Sequence, residues 1–241
     1  VVDHVIVRDV RRSDRATIDG LHAAGTATVH ESAGRTGLLG PRVEPRLPGA
    51  VVAGSAVTVS SHPGDNLMIH AAVEQCRPGD VLVVSCTASS THGMFGDLLA
   101  TSLRARGVVG LVIDAGVRDI ATLREMGFPV WSRAVHAQGT VKATPGSVNV
   151  PVVVAGQIVR PGDVVVADDD GVVVVPVADA PGVLEAARKR VANEESKRQQ
   201  LADGVLGLDM YGLRPLLADL GVRYVDRLPG AVDRQPDGVD G

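Results

Sequence analysis

Two apolar runs, residues 81–85 and 108–113, constrain this chain more than any other feature, because a loop ending at Phe95 and a helical stretch over about 97–106 lie between them. A run without polar alternation has no solvent side, so a strand made from it is covered on both faces. Strand, crossover helix and strand make a parallel pair. The unit predicts an α/β fold.

The flanks extend this pattern. Residues 51–60 read as another strand, and 65–75 as a helix with apolar Leu67, Ile69, Ala72 and Val73, before Pro78-Gly79-Asp80 turns the chain. Upstream, 11–25 has helical spacing at Ile18, Leu21 and Ala24 and leads into a Gly-rich loop over 34–49. Downstream, a short helix over 121–126 precedes Val-rich runs at 128–131, 150–155, 163–167 and 171–176, with turns at Pro161-Gly162 and 168–171. This half is expected to be compact β-structure. Residues 181–201 form a charged helical pattern too polar for a core, suited to the surface or to a neighbouring subunit. A second short helix follows at 213–220.

The 241 residues fit one domain over 1–226, with a Pro-, Gly- and Asp-rich tail over 227–241 expected to be disordered. Apolar residues make up 45% and aromatics 2%, so the core is expected to be built of Val, Leu, Ile and Ala. A formal charge of -4 gives no footprint for nucleic acid, and no 18-residue uncharged apolar run is present to cross a membrane. Cys76 and Cys86 lack zinc-site spacing and read as buried free thiols. Residues 1–10, interrupted by Asp3, Arg8 and Asp9, do not read as a signal peptide, so the cytoplasm is the expected location.

The densest chemical constellation is Gly96-Asp97-Leu98-Leu99-Ala100 followed by Gly116-Val117-Arg118-Asp119. The first segment opens the crossover helix, whose unpaired N–H groups and dipole hold an anion. The second follows the carboxyl end of a strand, where open α/β sheets place ligands. Taken singly, Asp97 and Asp119 fit helix caps equally well, and Arg118 fits a solvated surface residue.

The spacing Asp97, twenty residues, Arg118-Asp119 resembles the motif of the class II pyruvate aldolases of the regulator of ribonuclease activity A-like family, which act on 4-hydroxy-4-methyl-2-oxoglutarate and 4-carboxy-4-hydroxy-2-oxoadipate. Further segments resemble family blocks: 25–30, 63–66, 95–102, 127–131, 147–152, 168–175 and 207–211. The resemblance implies a layered α/β domain like a swivelling phosphohistidine domain, with C-terminal helices, assembled as a homotrimer or homohexamer. It implies Mg²⁺ or Mn²⁺ held by Asp119 largely through water. It places Arg118 on the pyruvyl end of a 2-oxo acid, with the helix-end segment Gly96, Leu98 and Leu99 gripping the carboxylate. Asp97 orients the water that takes the C4 hydroxyl proton, and the metal with Arg118 stabilises the pyruvate enolate. Oxaloacetate decarboxylation yields the same enolate and is implied as a companion activity.

A glutamate from a neighbouring subunit completes such sites; Glu194 matches best and Glu195 second, while an exposed pair with Lys197 or Arg198 is the ordinary alternative. The longer family motif has an acidic residue where this chain has Thr122, which implies a weaker hold on the metal shell. Lys142 lies outside the motif, and no imine-forming lysine is required. His30, His62, His70, His92 and His136 lack paired spacing and receive no catalytic role. Asn66, His70 and Arg35 are candidates for the distal carboxylates. The same fold includes a non-catalytic ribonuclease regulator, but the Asp97 and Arg118-Asp119 motif favours the enzyme. A methyltransferase is disfavoured because Gly34, Gly37 and Gly40 do not form a nucleotide-binding G-x-G-x-x-G.

Overall fold

Parallel pairing is confined to the middle of the chain, with antiparallel strands added at either side. The computed structural model describes residues 4–227, so the expected disordered tail lies, from residue 228 on, outside the described residues. In chain order come helices α1 (Arg15–Ala24) and α2 (Thr26–Ser32), strands β1 (Glu44–Pro45) and β2 (Val52–Ser61), and helix α3 (Leu67–Val73). Strands β3 (Asp80–Cys86) and β4 (Gly93–Phe95), helix α4 (Asp97–Ala105), strand β5 (Gly110–Val117) and helix α5 (Ile120–Glu125) follow. Next are β6 (Val130–Val135), β7 (Ser147–Val148), β8 (Val152–Val154), β9 (Gln157–Val159), β10 (Val164–Asp168) and β11 (Gly171–Val175). The helices α6 (Ala180–Ala202), α7 (Gly207–Met210) and α8 (Arg214–Asp219) end the series.

The main sheet runs β1-β6-β5-β3-β2-β10-β11, with β4 on β5 and β7 on β2, while β8 and β9 form a separate hairpin. Strands β2, β3, β5 and β6 are mutually parallel, and α3, α4 and α5 make the crossovers. The fold is mixed α/β with C-terminal helices, as the strand, helix and strand pattern predicts.

Alternation along the central strands splits the core by face. Leu82 and Val84 of β3 and Leu111 and Ile113 of β5 pack with Ile69, Leu99, Leu103 and Leu123 of the crossover helices. Val81, Val83 and Val112 face the other way, against Trp131, Leu39 and the hairpin residues Val152, Val154 and Val159. A third cluster joins Ile18, Leu21 and Val29 to Val164, Val166, Val173, Val175 and Leu184. Burying both faces of a Val-rich strand removes each side chain from water, at roughly 1.5–3 kcal/mol apiece.

Three features of the fold differ from what the sequence pattern predicts. Strand β5 continues past Ile113 through Asp114 to Val117, because two arginines neutralise the Asp114 carboxylate inside the fold. Helix α2 was absent from the expected series because its first N–H, on Thr26, is capped by Asp168 from across the sequence at 2.9 Å. Cys76 is buried as expected, but Cys86 at the end of β3 is only partly buried.

The chain falls into two compact units, one ending at Ala192 and the other starting at Asn193. In the first unit the start of α6 is not wholly polar: Ala180, Leu184 and Ala187 are buried. In the second, α7 and α8 bury no residue, Lys197 Nζ stands 4.9 Å from the Tyr211 ring centre, and Arg214 pairs with Asp209. Among the described residues no helix is long and apolar enough to cross a membrane.

Candidate active site

The N-termini of α4 and α5 meet at a cavity of about 210 Å³, lined in part by Gly96, Asp97, Leu98, Leu99, Arg118 and Asp119. The two segments singled out in the sequence therefore share one crevice. Asp119 holds the N-cap position of α5 with φ 57° and ψ 37°, and its carbonyl accepts the Leu123 N–H at 2.9 Å. Its carboxylate makes no cap hydrogen bond. The left-handed backbone is one that aspartate tolerates better than most residues, and here it turns the side chain away from its own helix toward the N-terminus of α4.

The contacts of that carboxylate are loose. Asp119 Oδ2 lies 3.4 Å from the Asp97 N–H nitrogen and 3.4 Å from Arg118 Nε, beyond the range of a strong charged hydrogen bond. A Cβ on Gly96 would stand 2.2 Å from Asp119 Oδ2, so only glycine leaves the carboxylate this place. The Arg118 backbone is fixed by its N–H on Phe95 O at 2.8 Å, while its side chain stays 44% exposed and open to a ligand.

Asp97 is the first residue of α4, after Gly96 at the N-cap. Its Oδ1 accepts the Leu98 N–H at 2.8 Å, so one of the amides expected to grip a substrate carboxylate is occupied by an internal carboxylate. Leu99 buries its side chain in the core, whereas the Leu98 side chain is exposed beside the cavity.

Asn66, His70 and Lys142 also line the cavity. Asn66 donates from Nδ2 to Met94 O at 3.1 Å, while its buried Oδ1 has no partner among the described residues. Burial, then the charge of Lys142, hold the His70 imidazolium form down, so the ring's pKa lies below its usual value. Lys142 had no spacing signal. A bridge between Asp65 and Val141, and Asp65 accepting the N–H groups of Ala143 and Thr144 at 2.8 and 2.6 Å, bring it to the cavity.

Arg35 is not brought there: it is exposed, has φ 62° and pairs with Glu31. Thr122 is exposed on α5. Glu194 lies on α6 in the second unit, and Glu195 pairs with Arg198. Of the five histidines given no catalytic role, His70 lines the cavity, and His30, His62, His92 and His136 are not among its lining residues.

The donor set suits a hard, hydrated cation. Among the described residues no group of three His, Cys, Asp or Glu side chains gathers as a metal cage. Asp119 offers a single half-exposed carboxylate with weakly held oxygens, as Mg²⁺ or Mn²⁺ needs when waters supply most of its ligands.

Residues 4–174 match the model of the RraA-like family, described as Aldolase/RraA. A protein of Halalkalibacterium halodurans provisionally named 4-hydroxy-4-methyl-2-oxoglutarate aldolase is 34% identical over 66% of this chain and 76% of its own length. One of Burkholderia multivorans with the same provisional name is 38% identical over 59% of this chain and 87% of its own. The crystal structure of Streptomyces coelicolor RraAS2, described as an unusual member of the RNase ES inhibitor RraA family, superposes with a TM-score of 0.70 at 33% identity, covering 78% of this chain and all of that one.

Proposed function

Since the chain belongs to the RraA-like, Aldolase/RraA family, we propose that it cleaves a branched 4-hydroxy-2-oxo acid and releases pyruvate. The observation that carries this reading is an adjacent arginine and carboxylate, Arg118 and Asp119, presented without tight partners where two helix N-termini converge. The substrates are 4-hydroxy-4-methyl-2-oxoglutarate, which yields two pyruvates, and 4-carboxy-4-hydroxy-2-oxoadipate, which yields pyruvate and oxaloacetate.

In this mechanism the planar fork of Arg118 binds the pyruvyl end. The Leu99 N–H, and the Leu98 N–H once Asp97 releases it, hold the substrate carboxylate at the positive end of α4. Asp97 then orients a water that takes the C4 hydroxyl proton, the C3–C4 bond breaks, and its electron pair moves to the 2-oxo oxygen as an enolate. Arg118 stabilises that charge, and protonation at C3 gives pyruvate. Asp119 would hold Mg²⁺ or Mn²⁺, and the ion would supply Lewis-acid stabilisation of the developing negative charge. Oxaloacetate decarboxylation passes through that enolate and is a companion activity. Glu194 of a neighbouring subunit, within a homotrimer or homohexamer, closes the site.

The test is pyruvate release from both substrates before and after chelation. Release that disappears with chelator and returns with Mg²⁺ or Mn²⁺ supports the reading. A second reading is favoured by Lys142 at the cavity wall: an amine there could form an imine with the 2-oxo group. Borohydride trapping of pyruvate on Lys142, with activity surviving exhaustive chelation, selects that chemistry. The Streptomyces coelicolor relative favours a third reading, a non-catalytic regulator of a ribonuclease. Binding of a ribonuclease by a chain that releases no pyruvate selects it. The shared site is tested by mixing Asp119→Ala with Glu194→Ala under subunit exchange, where recovered activity places the two residues in different chains.

A further inference from the structure

A second cavity, of about 610 Å³, opens at the carboxyl ends of β2 and β3, lined by Ser60, Ser85 and Cys86 from those strands. It lies on the face of the sheet opposite the crossover helices: Asp114, which lines it, follows Val112 with the strand period of two, and Val112 packs in the core that faces the β8 and β9 hairpin. The candidate active site sits at the N-termini of α4 and α5, which belong to the other face.

The cavity is organised by a charge triad. Arg42 donates to Asp114 from Nε at 3.2 Å and Nη2 at 2.8 Å. Arg133 reaches the same carboxylate from Nε at 2.9 Å and Nη2 at 2.8 Å, and the Ala155 N–H adds a bond at 2.9 Å. One forked arginine already balances the charge of a buried carboxylate. The second arginine exceeds that need and leaves one positive charge uncompensated in the triad. Cys86 adds no negative charge, because burial above all pushes its thiol up to about 12.

Donors remain for a ligand after the triad is complete. Arg42 Nη1 has no hydrogen-bond partner among the described residues. Arg133 Nη1 donates to Ser89 Oγ at 3.0 Å, so the Ser89 hydroxyl keeps its own proton to give. Thr87, a further hydroxyl-bearing residue, lines the same cavity, whereas Ser85 has already given its proton to Val153 O at 2.6 Å. Arg42 comes from the segment before β1, and Thr87 and Ser89 from the segment that follows β3, so the cavity is approached from two sides, as a tetrahedral oxyanion with acceptors on more than one face requires.

We propose that this cavity is a second anion site, separate from the candidate active site, which takes a phosphate dianion, free or as a monoester, between Arg42 and the Thr87 and Ser89 hydroxyls. Asp114 is the positioning residue that aims both guanidinium groups. The proposal stands apart from the aldolase reading and requires no catalysis.

Calorimetric titration of the full chain at low salt, with inorganic phosphate and separately with glycerol 3-phosphate, tests it. One saturable event that weakens with added salt is expected. Arg42→Gln leaves Asp114 with Arg133 and Ala155, and Ser89→Asp fills the site with a carboxylate; each should weaken binding by at least about tenfold. Arg118→Ala, which strips the other cavity of its anion partner, should leave it unchanged. The tighter of the two ligands identifies the source of the phosphate. No saturable binding to the native chain, binding that Ser89→Asp leaves intact, or binding abolished by Arg118→Ala would overturn the proposal. Should Arg42→Gln lose its cooperative unfolding transition, Ser89→Asp, which removes no bond to Asp114, decides alone.

Discussion

Asp114 and Asp119 lie near the end of one strand and meet opposite fates. Asp114 is buried and closed in by two arginines and an amide at 2.8–3.2 Å. Asp119 is 37% exposed, and its contacts with Asp97 and Arg118 stand at 3.4 Å. A carboxylate whose oxygens are already filled has no lone pairs to offer, whereas one held loosely at a cavity mouth exchanges its partners for a ligand at little cost. Asp114 is thereby committed to the fold, and Asp119 keeps its oxygens available to a ligand. The contrast also explains Gly96, which gives the Asp119 carboxylate room; at Gly116 a Cβ would stand 2.1 Å from Thr91 O, on the segment that leads into β4.

The comparison breaks most decisively at Asp119. Asp119→Ala should lower pyruvate release by at least about a thousandfold, roughly 4 kcal/mol of transition-state stabilisation, while the denaturation midpoint moves by no more than a surface substitution does, about 0.5 kcal/mol. A large loss of stability with activity retained would reverse the assignment. Asp114→Ala should show the opposite pattern: about 3 kcal/mol of stability lost in urea unfolding, because two arginines are left facing each other without their counter-charge. Stability equal to that of the native chain would show that the triad is not part of what holds the fold.

How much of this was legible follows the range of the interactions. The parallel unit could be read because apolar runs and helical spacing are local, and Gly96, Asp97, Arg118 and Asp119 could be placed because their segments sit at helix and strand ends. The resemblance carried their roles, which spacing alone left open between cap and ligand. The end of β5 was misread because Asp114 interrupts the apolar run, and its partners Arg42 and Arg133 come from distant segments. Lys142 carries no spacing signal for a similar reason: contacts of the distant Asp65 with Val141, Ala143 and Thr144 bring it to the cavity. The capture of the Leu98 N–H by Asp97 is local, yet nothing in the residue types distinguishes it from a vacant helix terminus. Glu194 was placed through the resemblance, and its part in a shared site rests on subunit exchange.

A smaller effect sharpens the same contrast at Arg118. Arg118→Lys keeps the charge and loses the planar fork. Turnover should fall by about tenfold or more, corresponding to roughly 1.4 kcal/mol, with little change in unfolding midpoint because the side chain is 44% exposed. Near-native turnover, measured by pyruvate release, would place Arg118 outside the transition state.

The gentlest test titrates the triad without removing an atom of its framework. Burial pushes the Asp114 carboxyl up, but the hydrogen bond from Arg42, then the Ala155 N–H and the charge and hydrogen bond of Arg133, outweigh it and hold the group below the usual carboxylate range. The unfolded chain carries the same group near its ordinary value of about 3.9. With the folded value depressed, the unfolded chain binds the proton more readily, so the ionised carboxylate's contribution is fully present above about pH 5 and falls away as pH drops through the folded value. Asp114→Asn keeps the shape and cannot ionise. The stability difference between the native chain and Asp114→Asn, measured by urea unfolding from pH 7 downward, should therefore be constant to about pH 5. Below about pH 4 it should then shrink, with a slope of no more than about 1.4 kcal/mol per pH unit, the limit for a single proton. A difference that stays flat below pH 4 would mean that Asp114 titrates alike in both states, and the contrast between a committed and an available aspartate would then rest on geometry without energetic weight.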